Sequence, residues 1–308
     1  MDFIIFFVAM LALIYGADFI VKESERIALH YSIPHFVIGA TLIAFGTSLP
    51  EMAASMMAAS QGKADMAVAN VVGSVMFNIT MVLGLVFLMA KKMNPERNLF
   101  FKDSAWIVFP VILFLIMSSD GQISRFDGIL LLILMAAYIF FLFTDEDDNL
   151  DDAIDEELVK EAFKWPRTLL YLGIGFAFTI GGANFVIESG SSIARGFGVS
   201  EWLIGLFLIS LGTSLPELVV SLVAIKKGNA DLSIGNIIGS NVANFSMVLG
   251  GSSLLMPLNV DLQANGYDII MMVAASFALL FILANKLYSK AGGIFLLILL
   301  ALFISHQL

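Results

Sequence analysis

Two copies of the hexapeptide GTSLPE supply most of the candidate chemistry of this chain. They run from Gly46 to Glu51 and from Gly212 to Glu217, each inside a long apolar stretch. Proline has no N–H, so the carbonyl one turn earlier loses its helical partner. The residues before the prolines, Leu49 and Leu215, are expected to leave helical geometry. The motif therefore predicts a broken helix that presents carbonyl, hydroxyl and carboxylate oxygens.

A second polar motif occurs once in each half of the chain. Two asparagines and a serine stand four residues apart, so all three share one face of a helix. The six residues are Asn70, Ser74 and Asn78, and then Asn236, Ser240 and Asn244. Such oxygens suit a hard cation such as calcium, which takes about six to eight oxygen ligands, whereas zinc or copper favours histidine or cysteine. Together the motifs predict a binding site for hard cations.

The composition is that of a polytopic membrane protein. Of the 308 residues, 59% are hydrophobic and 14% are charged, whereas soluble domains carry about 25% charged residues. The apolar runs are long enough to span a bilayer, which takes about 20 residues. Outside an acidic segment at 145–161 the charges nearly balance, which excludes a basic face for nucleic acid. Cysteine is absent from the sequence, so disulfides are excluded.

We predict an all-α membrane protein with ten transmembrane helices, broken at spans 2 and 7. The expected spans are 3–22, 35–60, 66–90, 104–119, 127–143, 168–189, 201–225, 232–256, 266–285 and 291–306. The acidic segment divides them into two groups of five. The predicted organisation is an N-terminal transmembrane repeat at 1–143, an acidic linker at 144–167 and a C-terminal transmembrane repeat at 168–308.

The two halves are related by a constant shift of 166 residues. The shift aligns residues 36–51 with 202–217, with ten identities in 16, and residues 65–84 with 231–250, with nine identities in 20. Because five spans is an odd number, the second half enters from the opposite side of the membrane, and the repeats are inverted. Inverted repeats with interrupted helices are typical of secondary transporters, whose binding site lies near the midplane between the repeats.

The distribution of lysine and arginine predicts the orientation. Of 16 such residues, 13 lie on the face that carries the acidic linker, and only Lys63, Arg125 and Arg195 lie on the other face. Cytoplasmic loops carry the excess of positive charge. We therefore expect a multi-pass protein of the cell membrane, with the linker in the cytoplasm and both termini outside it.

Both motifs, GTSLPE and N-x-x-G-S-x-x-x-N, occur in each half of the chain, and this pattern resembles the cation/calcium antiporter superfamily, specifically its prokaryotic sodium/calcium exchangers. The resemblance covers essentially the whole chain. It implies a secondary active antiporter that exchanges calcium for sodium by alternating access and exports calcium from the cytoplasm. The motifs offer no nucleophile–base pair or cofactor loop, so we expect no enzyme activity and no cofactor. A monomer is expected because each pair of repeats encloses its own site.

The resemblance also implies a set of ion-binding residues, carried over position by position. Glu51 and Glu217 would coordinate calcium through their carboxylates. Backbone carbonyls would come from Ala44, Thr47, Ser210 and Thr213, flanking sodium ions would bind Ser48, Ser74, Ser214 and Ser240, and Asn78 and Asn244 would complete a central site. In some relatives one of these two asparagines is aspartate. The site here therefore has two carboxylates rather than three, which leaves the number of sodium ions open.

Two other functions remain open at this point. The same scaffold could exchange calcium for protons, with the glutamates neutralised by protonation instead of by sodium. The TSLPE form resembles the sodium-coupled branch more closely, so sodium is favoured. A passive cation channel is a further alternative, but a channel would not need an inverted repeat.

The acidic segment and two repeated glycines are further features with a predicted role. Residues 145–156 place acidic or amide side chains at five positions of a calcium-binding loop, but Leu150 replaces the required glycine, so a solvated connector is the favoured interpretation. Gly16 and Gly182 are related by the 166-residue shift. The resemblance implies that spans 1 and 6 slide across a core of spans 2, 3, 7 and 8. We expect these two glycines to permit that close sliding contact.

Overall fold

The computed structural model describes residues 2–90, 93–144, 163–198 and 212–307. Regular structure in these ranges is helical, apart from one pair of two-residue strands. The helices are α1 (Asp2–Tyr31), α2 (His35–Thr47), α3 (Leu49–Ser60), α4 (Ala64–Met89), α5 (Leu99–Met117), α6 (Arg125–Thr144), α7 (Trp165–Gly196), α8 (Leu215–Lys226), α9 (Ala230–Leu255), α10 (Gly266–Ala284) and α11 (Lys290–Gln307). The strands β1 (Gln122–Ile123) and β2 (Leu258–Asn259) pair antiparallel.

The described helices include seven that are long and apolar enough to cross a membrane, namely α1, α4, α5, α6, α7, α9 and α10. The bent pair α2 and α3 makes an eighth candidate if it forms one span. Helix α11 is apolar but shorter, and residues 199–211, between α7 and α8, lie outside the described ranges. The all-helical class is therefore established, whereas the number of ten spans stays a prediction.

The chain packs as two compact units, and each takes residues from before and after the acidic segment. The first unit contains residues 2–47, 163–198 and 212–236, and the second contains 48–90, 93–144 and 237–307. This is a division by packing. The division into repeats at 1–143 and 168–308 is a division by sequence, and it stays a prediction.

The core of the first unit joins α1 to three motif-bearing helices. Its fully buried members are small or β-branched in most cases, so the helices approach closely. They are Ala17, Ile20 and Val21 of α1, Ile43 of α2, Val220 and Ala224 of α8, and Leu232 of α9. Buried apolar surface of this kind stabilises a helix pair through close van der Waals packing when lipid surrounds it.

Gly16 and Gly182 lie where α1 and α7 pack against each other. A Cβ atom on Gly16 would lie 2.5 Å from Thr179 Oγ1, and a Cβ atom on Gly182 would lie 2.8 Å from the backbone nitrogen of Leu13. The expectation that these glycines face a sliding contact with the core is therefore wrong. Small residues let two membrane helices bring their backbones together, and here the two helices are α1 and α7 themselves.

The second unit surrounds the polar helices with aromatic and aliphatic side chains. Phe114 of α5 and Phe245 of α9 are fully buried and have ring centroids 5.8 Å apart. In the most apolar window of α4, 83% of the residues are buried, and in that of α9 89% are buried, against 33–44% in the other candidate spans. The helices that carry the second polar motif are thus the most enclosed candidate spans of the described chain.

Candidate cation site

Each GTSLPE motif contains a helix break one residue earlier than the sequence predicts. Helix α2 ends at Thr47 and α3 begins at Leu49, with Ser48 at φ −84° and ψ 4° between them. Helix α8 begins at Leu215, after Ser214 at φ −89° and ψ 4°. The expectation that Leu49 and Leu215 leave helical geometry is wrong. The proline that follows them lies in the first turn of the new helix, where a missing N–H removes no helical bond.

Both motif carboxylates lie in the first turn after the break. Glu51 is 1% exposed and Glu217 is 0% exposed. The positive end of a helix dipole favours an anion at this position. Burial of an ionised carboxylate nevertheless costs free energy, and a bound cation would offset that cost.

In the second unit an asparagine side chain fixes the start of α3. Asn70 Nδ2 donates to Ser55 Oγ at 2.9 Å and to the backbone carbonyl of Glu51 at 3.3 Å. The amide therefore joins α4 to the first two turns of α3. The Asn70 amide thereby fixes the backbone of Glu51.

The first unit repeats this arrangement at the positions related by 166 residues. Asn236 Nδ2 donates to Ser221 Oγ at 3.0 Å and to the carbonyl of Glu217 at 3.4 Å. Its Oδ1 accepts a hydrogen bond from Thr47 Oγ1 at 3.3 Å. Asn236 thus fixes the start of α8 and also contacts the end of α2.

Ser55 and Ser221 are functional candidates that the sequence analysis missed. Each lies four residues after a motif glutamate, fully buried, and accepts the asparagine amide. The signal was available, because the two serines are themselves related by the 166-residue shift. They extend each motif by one turn and contact the asparagine that also bonds the glutamate carbonyl.

Both polar helices widen at the last asparagine of their motif. A five-residue π-helical turn occupies Asn78–Val82 in α4 and another occupies Asn244–Val248 in α9. Such turns are rare and are frequent at functional sites, because they leave backbone groups and side chains out of the regular helical pattern. The two turns coincide with the asparagines expected to complete the central site.

Several buried polar atoms at these positions have no hydrogen-bond partner within the described ranges. They are Asn78 Oδ1, Ser214 Oγ, Ser240 Oγ, and both Nδ2 and Oδ1 of Asn244. Buried polar groups in native proteins are almost always satisfied by protein or by water. Oxygen atoms that lack a partner here are therefore suited to a ligand that needs oxygen donors.

Asn78 is better fixed than Asn244. Its Nδ2 donates to Asn241 Oδ1 at 3.1 Å, which orients the free Oδ1. The position equivalent to Asn241 in the first half is Val75, so the repeat pattern could not have indicated this contact. The two motif copies are therefore equivalent in the asparagine–serine contact beside each glutamate and different at Asn78 and Asn244.

The remaining expected ligands are found as follows. Ala44 and Thr47 are fully buried, and the single hydroxyl hydrogen of Thr47 has three acceptors within range, the carbonyls of Ile43 at 3.1 Å and Ala44 at 3.3 Å and Asn236 Oδ1 at 3.3 Å. Ser48 and Ser74 are 3% and 2% exposed. Thr213 is half-buried. Ser210 and the acidic residues of the linker lie outside the described residues.

The described ranges contain no group of three or more histidine, cysteine, aspartate or glutamate side chains that could bind a metal ion. A cation at these motifs would thus depend on amide, hydroxyl and carbonyl oxygens beside the glutamates. That donor chemistry suits sodium and calcium rather than a transition metal.

The sequence motifs and their geometry agree with a known family. The family model described as sodium/calcium exchanger protein matches residues 1–144 and 167–308. The chain belongs to the sodium/calcium exchanger family. The resemblance to the prokaryotic sodium/calcium exchangers is confirmed.

Curated relatives cover nearly the whole of this exchanger-family chain. The uncharacterized membrane protein MJ0091 of Methanocaldococcus jannaschii is 34% identical over 97% of this chain and 94% of its own. Inner membrane protein YrbG of Escherichia coli is 32% identical over 89% and 86%. Sodium/calcium exchanger MaX1 of Methanosarcina acetivorans is 29% identical over 92% and 91%.

A solved structure has the same fold. The sodium-calcium exchanger NCX_Mj, soaked with zero Na⁺ and Ca²⁺, superposes with a TM-score of 0.83 at 31% identity, over 99% of this chain and 98% of that one. Family and fold together make this chain a multi-pass membrane protein of the cation/calcium antiporter class and a transporter rather than an enzyme.

Proposed function

We propose that this protein exchanges calcium for sodium across the cell membrane by alternating access and exports calcium from the cytoplasm. The observation that carries the proposal is the repeated arrangement at the two motifs. In each, a buried glutamate follows a helix break, and an asparagine amide holds the carbonyl of that glutamate. The relative NCX_Mj was soaked with sodium and calcium together, which supports the same pair of ions as cargo.

The roles of the residues follow from their donor atoms. The carboxylates of Glu51 and Glu217 bind calcium, and the amide oxygens of Asn78 and Asn244 complete the central site. The other ligands are the carbonyls of Ala44, Thr47, Ser210 and Thr213 and the hydroxyls of Ser48, Ser74, Ser214 and Ser240. The unpartnered oxygens of Asn78, Ser240 and Asn244 support this assignment.

The charge of the site limits what it can carry. Two carboxylates balance one calcium ion or two sodium ions. A load of three sodium ions would leave a net charge of +1, and exchange against one calcium ion would then be electrogenic. A membrane potential imposed during transport distinguishes two sodium ions from three.

The proposed architecture is that of ten spans in two inverted repeats of five, at 1–143 and 168–308. The 13 lysine and arginine residues on one face support an orientation with the acidic linker in the cytoplasm and both termini outside. A monomer is proposed because the two repeats supply all twelve expected ligands.

The deciding experiment is calcium uptake into proteoliposomes. Vesicles loaded with sodium and diluted into sodium-free medium should take up calcium, whereas a pH gradient alone should drive none. Calcium uptake under the pH gradient alone would identify protons, not sodium, as the counter-ion. Calcium flux without any counter-ion gradient would indicate a channel and would refute antiport.

A further inference from the structure

A second polar cavity lies in the second unit, apart from both GTSLPE motifs. It has a volume of about 970 Å³ and lies between the connection from α4 to α5 and the connection from α10 to α11. Its charged lining residues are Glu96, Arg97, Lys286 and Lys290. The candidate cation site does not use any of them.

The positive charge available in this cavity belongs to its two lysines. Arg97 is buried and its guanidinium binds Asp103 through two bonds, Nε to Oδ2 at 2.7 Å and Nη2 to Oδ1 at 3.2 Å. Lys286 and Lys290 are exposed, and neither makes an ion pair with any residue in the described part of the chain. Because Asp103 balances Arg97, the lining carries a net positive charge despite Glu96.

The backbone at Lys286 has a left-handed conformation that suits glycine. Helices α3 and α8 both end in a left-handed glycine, Gly62 at φ 74° and Gly228 at φ 87°. Helix α10 ends with the same type of cap, in which Leu287 N donates to Ile282 O at 3.0 Å. Here the left-handed position is Lys286, at φ 50°. Helix α1 also ends this way, at Ser32 with φ 53°. Glycine takes this conformation without strain, so a glycine in place of Lys286 is compatible with the cap.

The N-terminus of α11 opens into the same cavity. Ser289, Lys290 and Ala291 line it, and the first-turn N–H groups of a helix have no helical partners and favour an anion. Two exposed lysines and a helix N-terminus therefore line one space. A phosphate group matches this combination of donors and charge.

We propose that this cavity binds the phosphate of an anionic phospholipid in the cytoplasmic leaflet. The cavity lies at the ends of three candidate spans, α4, α5 and α10, where lipid headgroups are found. Basic pockets between membrane helices on the cytoplasmic side bind anionic headgroups. The leaflet assignment rests on the orientation proposed above, whereas binding itself can be tested in micelles that have no sidedness.

The test measures the thermal unfolding midpoint of the whole protein in detergent while lipid is titrated. Phosphatidylglycerol should raise the midpoint and phosphatidylcholine should not. In the variant K286G/K290Q, the phosphatidylglycerol concentration for half-maximal effect should rise about 30-fold, given the contribution of each basic residue near a lipid surface. Without lipid, the single variant K286G should unfold at the wild-type temperature or above it, because glycine relieves the backbone.

The matched control is K164Q/K226Q, which removes two exposed lysines from the same proposed face outside the cavity. It should respond to phosphatidylglycerol as the wild type does. The proposal would be overturned if both double variants lost the response of the unfolding midpoint to phosphatidylglycerol equally. It would also be overturned if the two lipids raised the wild-type midpoint equally. A lower midpoint for K286G without lipid would overturn it too, since it would give Lys286 a structural role.

Inorganic phosphate and glycerol phosphate form a separate arm of the test. If the cavity binds a lipid, neither anion at millimolar concentration should raise the unfolding midpoint, because the acyl chains contribute to binding. If these soluble anions raised the unfolding midpoint, and the increase depended on the two lysines, the cavity would be a site for free phosphate and the lipid proposal would be refuted. Failure of sodium-driven calcium uptake would leave all of these results unchanged, so the two proposals fail separately.

Discussion

At the scale of single residues, Asn70 and Asn236 each use one amide nitrogen on two acceptors, a serine hydroxyl and the carbonyl of a motif glutamate. Both carbonyls lie in the first turn of their helix, and the amide adds a second contact there from a neighbouring helix. Each motif is therefore positioned by a residue that lies 19 positions away in the sequence.

Replacement of Ser55 by alanine tests this positioning. Asn70 is half-buried and would keep only its longer contact, at 3.3 Å, and the loss of one hydrogen bond costs about 0.5–1.5 kcal/mol. We expect a lower unfolding midpoint and weaker calcium binding, measured by calorimetry. Ser276→Ala is the control, because that buried hydroxyl donates only to Met272 O in its own helix, at 3.0 Å. Equal effects of the two substitutions would contradict the positioning role.

The carboxylates themselves are tested by Glu51→Gln and Glu217→Gln. Glutamine keeps the size of the side chain and removes the charge that balances the cation. We expect calcium flux in proteoliposomes to be abolished and the unfolding midpoint to stay the same or rise, because a buried charge is removed. Wild-type flux in both variants would refute the proposed site.

At the scale of elements, α1 and α7 form the most extensive helix contact described in the first unit. The positions of Gly16 and Gly182 in this contact could not be predicted from their repeat alone, since a shared shift indicates equivalence and not the partner helix. The length of α1 was also underestimated. Glu23 and Arg26 were assigned to a loop, but they are buried and bonded at 2.7 Å within the helix, which continues to Tyr31.

Two neighbouring glycines of α7 provide a matched test of this contact. A Cβ atom at Gly182 would lie 2.8 Å from the Leu13 backbone, whereas one at Gly181 would meet nothing within 4 Å. We expect Gly182→Ala to destabilise the protein by about 1–3 kcal/mol, the cost of overpacking. Gly181→Ala should be neutral or stabilising by up to about 1 kcal/mol, because alanine favours helix. Thermal unfolding in detergent measures both, and the reverse order would contradict the packing.

The sequence predicted the break within each motif, and the structure moves it by one residue. The clash before proline disfavours helical geometry without forbidding it, and Pro50 and Pro216 lie in a first turn, where the missing N–H removes no helical bond. Ser55 and Ser221 could have been predicted from the repeat. Asn241 could not, because its equivalent is Val75, and contacts between helices are not encoded in local spacing.

At the scale of the whole molecule, the inverted repeat makes a prediction that labelling can test. Ser60 and Lys226 are the last residues of α3 and α8, both exposed, and are related by the 166-residue shift. If the repeats are inverted, these equivalent positions face opposite sides of the membrane. The chain contains no cysteine, so a single introduced cysteine reports only its own position.

We expect a membrane-impermeant maleimide to label Ser60→Cys in intact cells and Lys226→Cys only after permeabilisation. The natural chain, without cysteine, should not be labelled and sets the background. Labelling of both variants from the same side would refute the inverted repeat, whatever the transport assays give.

The π-helical turns at Asn78 and Asn244 change the direction in which side chains point around the axis of each polar helix. An α-helix advances about 100° per residue, and a turn that takes one extra residue rotates everything beyond it by about that angle. The four-residue spacing of Asn70, Ser74 and Asn78 therefore cannot be extended to Val82. Deletion of a single residue within such a turn would leave the motif in place and redirect Leu83–Met89 to a different set of neighbours.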